Sequence, residues 1–264
     1  MSKIKVTLIT LCYNEHDIIP YVIQYWEHLK SQVDKFNVIV LDNHSTDDSV
    51  ELLSKYKWIT VKTFDSNGQN DFIQAKVKDM EWKKLRGKTD WVIVCDMDEV
   101  LYSNEFRSVL TTMKEGGYNV LGAPLYTLCG DEMPTYTEGK FLHQLVGKGY
   151  KQRLNHTSGF EHLGKFALFD PNVTYDVFPS VGWHICHIKP FNLYETDKVT
   201  AIHFDKGFSE DYFVNKRKKM YEHLSSVNKS NNLCYEYGWE EEKQRQQYRE
   251  NQSKAVDLSE AINY

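Results

Sequence analysis

Disulfides, membrane spans and a surplus of positive charge are all missing from this chain of 264 residues. Its five cysteines, Cys12, Cys95, Cys129, Cys186 and Cys234, are odd in number, scattered and mostly set in apolar stretches. That usage suits reduced thiols in a cytosolic protein and speaks against a disulfide framework. No run of about eighteen apolar residues occurs, and the start passes from an alternating apolar segment straight into polar side chains without a small-residue cleavage site. The expectation is a cytoplasmic protein, neither exported nor membrane-spanning. Lys and Arg number 32 against 37 Asp and Glu, a formal net charge of -5. Nucleic acid is therefore not expected as a partner, because phosphate backbones need concentrated cations. One basic run, Lys216-Arg217-Lys218-Lys219, reads first as a solvated helix face; contact with a polyanionic acceptor or a peripheral membrane surface is its second reading. Internal repeats and low-complexity linkers are also lacking, which leaves one substantial domain able to bury its own core.

What is present is a rhythm of strands and helices. Residues 5–12 are β-branched and apolar and end at Tyr13-Asn14-Glu15, the pattern of a buried strand emerging into solvent. Over residues 17–30, Ile18, Ile19, Val22, Ile23, Tyr25, Trp26 and Leu29 recur at helical spacing, and Pro20 falls in the first turn, where it is tolerated. A second apolar run, 36–41, ends in the polar stretch 42–48, in which Ser45 and Asp48 resemble a capping box for a helix reaching about residue 56. Residues 59–64 read as a third strand, 72–85 as a helix and 91–95 as a fourth strand, running into Asp96-Met97-Asp98-Glu99. This alternation implies an α/β fold with a Rossmann-like, mostly parallel sheet flanked by helices, and ligands bind such sheets beyond the carboxyl ends of the strands. The three polar clusters all fall at those ends. Further on come a helix near 105–114, a strand over 120–128, a long Gly-, His- and Tyr-rich region to about 202, and helices over 209–227 and 237–249 that read as a C-terminal helical appendage with a frayed tail.

The central chemical feature is Asp96-x-Asp98 directly after an apolar strand. Carboxylates at i and i+2 on a sheet edge present oxygens that a hard divalent cation, Mn²⁺ or Mg²⁺, can bridge to a diphosphate. Glycosyl transfer from a nucleoside diphosphate sugar needs such a cation, because negative charge builds on the leaving diphosphate as the anomeric bond breaks.

Taken together, Thr10-Leu11-Cys12-Tyr13-Asn14-Glu15, Asp42-Asn43-His44-Ser45-Thr46-Asp47 and Asp96-Met97-Asp98-Glu99 resemble the three signatures of family 2 glycosyltransferases, in order and at about the family's separation. The resemblance implies a GT-A fold, inversion at the anomeric carbon, a divalent metal, a nucleotide-sugar donor and a glycan or glycoconjugate acceptor. Position by position, it implies that Tyr13, Asn14 and Glu15 lie against the nucleoside and that Asp42 accepts from the base or ribose. It further implies that Asp96 contacts ribose or metal and that Asp98 ligates the metal. His44 stands where the family usually has a small residue, often Gly. The implied layout is a GT-A domain over 1–205, split into a nucleotide-binding half, 1–102, and an acceptor-side half, 103–205, followed by the helical appendage, 206–264.

The second half is similar, more faintly, to bacterial and viral members of the family through Gly130-Asp131-Glu132-Met133-Pro134, residues 165–172, Gly182-Trp183-His184-Ile185-Cys186-His187 and Ile202-His203-Phe204. Family members use a carboxylate to deprotonate the acceptor and often bring a late His to the metal. Asp131 and Glu132, just past a strand, are the first candidates for the base, with Glu161 next. One of His184, His187 and His203 is expected on the metal or diphosphate; structural zinc is not, since no second Cys or His pair at finger spacing accompanies them. Lys165 reads either as a diphosphate contact or as an exposed edge-strand lysine. Two other readings compete. Residues 92–101 also resemble the nucleophile strand of haloacid dehalogenase-type phosphatases, although Glu99 stands where that family has Gly, and the whole chain could be a non-catalytic sugar-nucleotide binding module.

Overall fold

In a computed structural model describing residues 3–152, 162–164, 167–183, 185–259 and 261–262, the first half follows the expected alternation. β1 (Lys5–Cys12), α1 (Ile19–Ser31), β2 (Lys35–Asp42), α2 (Ser49–Ser54), β3 (Ile59–Thr63), α3 (Asp71–Lys83) and β4 (Trp91–Val94) come in order. Then come β5 (Glu99–Tyr102), α4 (Phe106–Glu115), β6 (Val120–Gly122), β7 (Leu125–Cys129), α5 (Leu142–Val146), β8 (Lys148–Gln152), β9 (His162–Gly164) and β10 (Ala167–Phe169). β11 (Asp176–Pro179), β12 (Ile185–Lys189), β13 (Leu193–Glu195), β14 (Thr200–Lys206), α6 (Glu210–His223), α7 (Ser226–Ser230), α8 (Glu241–Gln252) and β15 (Val256–Asp257) follow.

The large sheet runs β13-β6-β10-β4-β1-β2-β3. β4, β1, β2 and β3 are mutually parallel, and β10 enters antiparallel between β4 and β6. Side-chain alternation sorts the strands' residues onto two faces. Val38, Val40, Trp91 and Ile93 join Tyr25, Trp26 and Leu29 of α1 in one cluster, whereas Ile39, Leu41, Val92 and Val94 join Trp82 of α3 in the other. Such buried aliphatic side chains each contribute roughly 1.5–3 kcal/mol, so the sheet between α1 and α3 forms the rigid base from which the strand ends project.

Several local expectations are corrected. The Ser45–Asp48 capping box does not form: α2 starts after Asp48 without a side-chain cap and stops at Ser54, because the Ser45 hydroxyl is used to accept from the Asn14 backbone N–H at 3.0 Å. The expected strand over 120–128 is two strands in different sheets, broken at Ala123-Pro124, where proline cannot donate to a ladder. β7 instead belongs to a five-stranded sheet, β15-β8-β7-β14-β5. The helix expected over 209–227 ends at His223, and Ser225 starts α7 by accepting from Asn228 N–H at 3.1 Å. The tail is not frayed over its described residues: β15 pairs with β8, and Leu258 and Ile262 are 0% and 1% exposed in the main core. All five cysteines are free thiols. Among the described residues no helix is long and apolar enough to cross a membrane.

Candidate active site

β1 is flanked by β2 on one side and β4 on the other, so the crossovers leave it in opposite directions and a crevice opens at its carboxyl end. A cleft of about 920 Å³ lies there, walled by the residues after β1 (Tyr13, Asn14, Glu15), the turn after β4 (Asp96, Met97, Asp98) and the inner face of α6. The strand-end loops are tied to each other. Asn14, at φ 53, accepts through its side-chain oxygen from Thr46 N–H at 2.7 Å, and Ser49 Oγ accepts from Glu15 N–H at 2.9 Å. Asp42 is 3% exposed and its two carboxylate oxygens accept from Ser45 N–H at 3.3 and 3.2 Å. The residue that reaches the cleft from β2 is its neighbour Asn43. His44 sits at φ 60, in the left-handed region. A backbone of that shape favours glycine, which accounts for the small residue usual there.

The acidic turn is held from both sides. Glu99, at the start of β5, accepts from Asp96 N–H at 3.2 Å, and Asp98 O accepts from Phe204 N–H of β14 at 2.8 Å. The Asp96 carboxylate meets Lys78 Nζ at 2.5 Å, and Lys78, on α3, is 2% exposed. Burial works to lower this ammonium's pKa, but the Asp96 charge and hydrogen bond outweigh it and the net shift is upward. Asp98 Oδ2 lies 3.6 Å from His203 Nε2 and 3.9 Å from Lys216 Nζ, and the same ammonium is 3.1 Å from Glu15 Oε2. Burial pushes the Glu15 carboxyl up to about 7 even with Lys216 beside it. For Lys216 burial again pulls down, and Glu15 and Asp98 raise it well above its ordinary value. Among the described residues no three His, Cys, Asp or Glu side chains form a ready metal cage.

The opposite wall comes from the C-terminal helices. His223 stacks on Tyr13 with ring centroids 3.7 Å apart and planes 5° off parallel. The end of α6 is pinned to the loop after β3, since Gln69 N–H donates to His223 O at 2.8 Å and Ser225 N–H donates to Gln69 O at 3.0 Å. Asn228 and Asp71 exchange hydrogen bonds at 3.1 and 3.0 Å, fixing α7 to the start of α3.

Of the residues expected from sequence, Tyr13, Asn14, Glu15, Asp96, Asp98 and His203 thus line one cleft, and Asp42 stands just behind it. Asp131 and Glu132 are exposed and outside the cleft lining; Asp131 faces Lys148 at 3.4 Å and Gln252 at 3.0 Å. His187 is exposed on β12, in the small sheet β11-β12-β9. Glu161, Lys165 and His184 lie outside the described residues. The basic run is divided by its helix: Lys218 and Lys219 are exposed as a solvated face requires, while Lys216 meets the acids and Arg217 is buried against Phe213, 4.1 Å from its ring centroid. Sequence reasoning missed Lys78 and His223 and gave Lys216 only as part of the basic run, not as a partner of the acids. Lys78 carried a signal of its own, falling on the buried stripe of α3 with Trp82.

The crystal structure of residues 1–349 of TarS from S. aureus resembles this chain at 13% identity and a TM-score of 0.49, covering 91% of this chain and 68% of that one. The same fragment in complex with UDP-GlcNAc gives 13% identity and a TM-score of 0.47, with 91% and 69% covered. The longer TarS structure gives 14% identity and a TM-score of 0.47, with 95% and 43% covered. No curated protein matches the chain. The model of glycosyl transferase family 2 matches residues 7–175, well over half of the sequence and all three strand-end motifs, so the chain belongs to that family and is a glycosyltransferase with a GT-A fold.

Proposed function

We propose that the chain moves a sugar from a nucleoside diphosphate sugar to a hydroxyl of a glycan or glycoconjugate, with inversion at the anomeric carbon and with Mn²⁺ or Mg²⁺ at the donor. The observation that carries the metal part is the pairing of Asp98 Oδ2 with His203 Nε2 at 3.6 Å inside the cleft. Two donors at about that separation fit a single ion with bonds of roughly 2.0–2.4 Å, and one carboxylate oxygen plus one imidazole nitrogen is a donor set that Mn²⁺ accepts. Asp98 and His203 would hold the cation. Bound there, it offsets the negative charge that grows on the departing diphosphate.

The remaining roles belong to side chains. The stacked pair of Tyr13 and His223 offers an outer ring face on which a nucleobase stacks. Asp42 and Asn14 hold the two loops that shape the nucleoside side, and Lys78 keeps the Asp96 carboxylate fixed toward ribose or metal. Lys165 is proposed for the diphosphate. Inverting displacement requires a carboxylate on the acceptor side to take the hydroxyl proton. Asp131, Glu132 and Glu161 are proposed from sequence, and Asp205, which lines the cleft two residues after His203, joins them. Five free thiols support a reducing, cytoplasmic setting.

The test is a panel of UDP-, GDP- and dTDP-sugars with Mn²⁺, read by release of the nucleoside diphosphate. One donor should turn over, and activity should vanish in EDTA and in Asp98→Asn. Undiminished turnover in both conditions overturns the metal, and silence from every donor overturns the donor class. Replacing each of Asp131, Glu132, Glu161 and Asp205 by its amide should identify the base as the variant that loses roughly a hundredfold in turnover at unchanged donor affinity. Normal rates in all four remove the whole set.

A further inference from the structure

The geometry points to Lys216 as an internal counter-ion of the donor site: it neutralises Asp98 until a divalent cation displaces it, and the released ammonium then turns to the diphosphate. This rests on the metal reading above. The observation behind it is that Lys216 Nζ and His203 Nε2 approach the same carboxylate oxygen, Asp98 Oδ2, at 3.9 and 3.6 Å. A cation bonded to that oxygen at roughly 2.0–2.4 Å lies within about 6 Å of the ammonium. A doubly charged ion and an ammonium at such a distance, in a site where Glu15 and Lys216 side chains are only 16% and 24% exposed, repel strongly. The two cannot both occupy their best positions on Asp98.

The chain leaves Lys216 a partner when Asp98 is taken. Its nearer contact is Glu15 Oε2, on the loop after β1, to which the ammonium already donates at 3.1 Å. An ammonium pivoting on Glu15 moves along the cleft wall, where the diphosphate must lie if Asp98 and His203 hold its cation. The charges support the sequence of events. Whatever the protonation of Glu15, the group Glu15, Asp98 and Lys216 carries no net positive charge, so it does not attract a diphosphate. Addition of a divalent ion makes the sum positive, and the diphosphate then has two cations to bridge. Metal first and donor second follows from the electrostatics, and α6, which carries both Lys216 and His223, is the element that registers the exchange. Lys216 is a positioning residue in this scheme before the donor binds and a direct diphosphate contact afterwards.

The experiment measures Mn²⁺ binding by electron paramagnetic resonance in the protein without nucleotide, and UDP binding by calorimetry at saturating Mn²⁺. Lys216→Met should bind Mn²⁺ about tenfold more tightly than the unaltered protein, because its competitor is gone, and UDP at least about tenfold more weakly, because a charge-assisted hydrogen bond is lost. Lys216→Arg, keeping the charge, should stay near the parent in Mn²⁺ affinity. A merely structural lysine predicts weaker or unchanged Mn²⁺ binding in Lys216→Met, and that result overturns the inference. Asp98→Asn separates the two readings: if it binds Mn²⁺ as the parent does, the metal site itself is wrong, whereas loss of Mn²⁺ there with no gain in Lys216→Met refutes the counter-ion alone. Should Lys216→Met not fold, amine labelling of the unaltered protein decides: Lys216 acetylation read by mass spectrometry should rise on adding Mn²⁺ and fall again with UDP, and labelling indifferent to Mn²⁺ refutes the exchange.

Discussion

Acidification should weaken this fold through one buried imidazole. His143, at the start of α5, is 0% exposed, with Nδ1 at 2.7 Å from the Tyr25 hydroxyl of α1 and its ring 4.7 Å from that of Tyr102 of β5. Burial, helped by the nearby His28 charge, pulls its pKa from 6.5 down to about 3. The folded value is the lower one, so between the two values the unfolded chain takes up the proton more readily than the folded one. The stability tied to neutral His143 is fully present above 6.5 and is lost as the pH falls toward about 3. Each unit is worth about 1.4 kcal/mol, giving a loss of about 2 kcal/mol at about pH 5 and approaching about 5 kcal/mol at the bottom of the window. Carboxylates titrate in the same range, so the quantity to measure is a difference. Urea unfolding followed by tryptophan fluorescence at about pH 7 and pH 5 should show the parent losing about 2 kcal/mol more than His143→Phe. Equal losses in the two proteins would refute a buried neutral His143.

Three shorter predictions complete the set. Asp42→Ala releases Ser45 N–H and the loop behind Asn43, and should weaken nucleotide binding by about tenfold in calorimetry, the usual scale for a lost charged hydrogen bond; an unchanged constant for every nucleotide removes Asp42 from the site. Lys78→Met leaves Asp96 without its buried partner and should cost roughly 2–4 kcal/mol in urea unfolding, part of which the double variant with Asp96→Asn restores; a parent-like single variant would show that the pair is incidental. His44→Gly relieves a left-handed backbone at φ 60 and should leave stability within about 1 kcal/mol of the parent, whereas a loss beyond about 2 kcal/mol would mean that the His44 side chain has a role of its own.

The parts of the molecule that were legible in the sequence are those governed by short-range pattern. Short uninterrupted β-branched runs such as Val38-Ile39-Val40-Leu41, alternating with helical segments, read as buried parallel strands, and the polar residues after them then fall at one edge of the sheet. That logic located Tyr13, Asp96 and Asp98. It failed where a side chain had two possible partners. Ser45 fits a helix cap by local spacing, yet its hydroxyl is taken by Asn14, 31 residues earlier in the chain. A break at Ala123-Pro124 was hidden because both halves of 120–128 are apolar and only the sheet order separates them. The tail looked frayed because α8 is rich in charge, whereas the buried Leu258 and Ile262 lie beyond it.

The deeper reason for the missing half of the site is sequence distance. Lys216 reaches Glu15 across 201 residues and the Asp71–Asn228 pair spans 157; no periodicity connects such positions. A basic run is solvated on one helix and functional on another only through what faces it, and here the facing groups are the very carboxylates that the strand ends expose. The boundary drawn at residues 205 and 206 falls inside β14 (Thr200–Lys206), the strand that also carries His203, and α6 follows within a few residues to set Lys216 over Asp98 and His223 over Tyr13. The helical appendage is therefore one wall of the strand-end cleft, and Glu15 and Asp98 are matched by Lys216 from the far end of the chain as Asp96 is matched by Lys78 of α3.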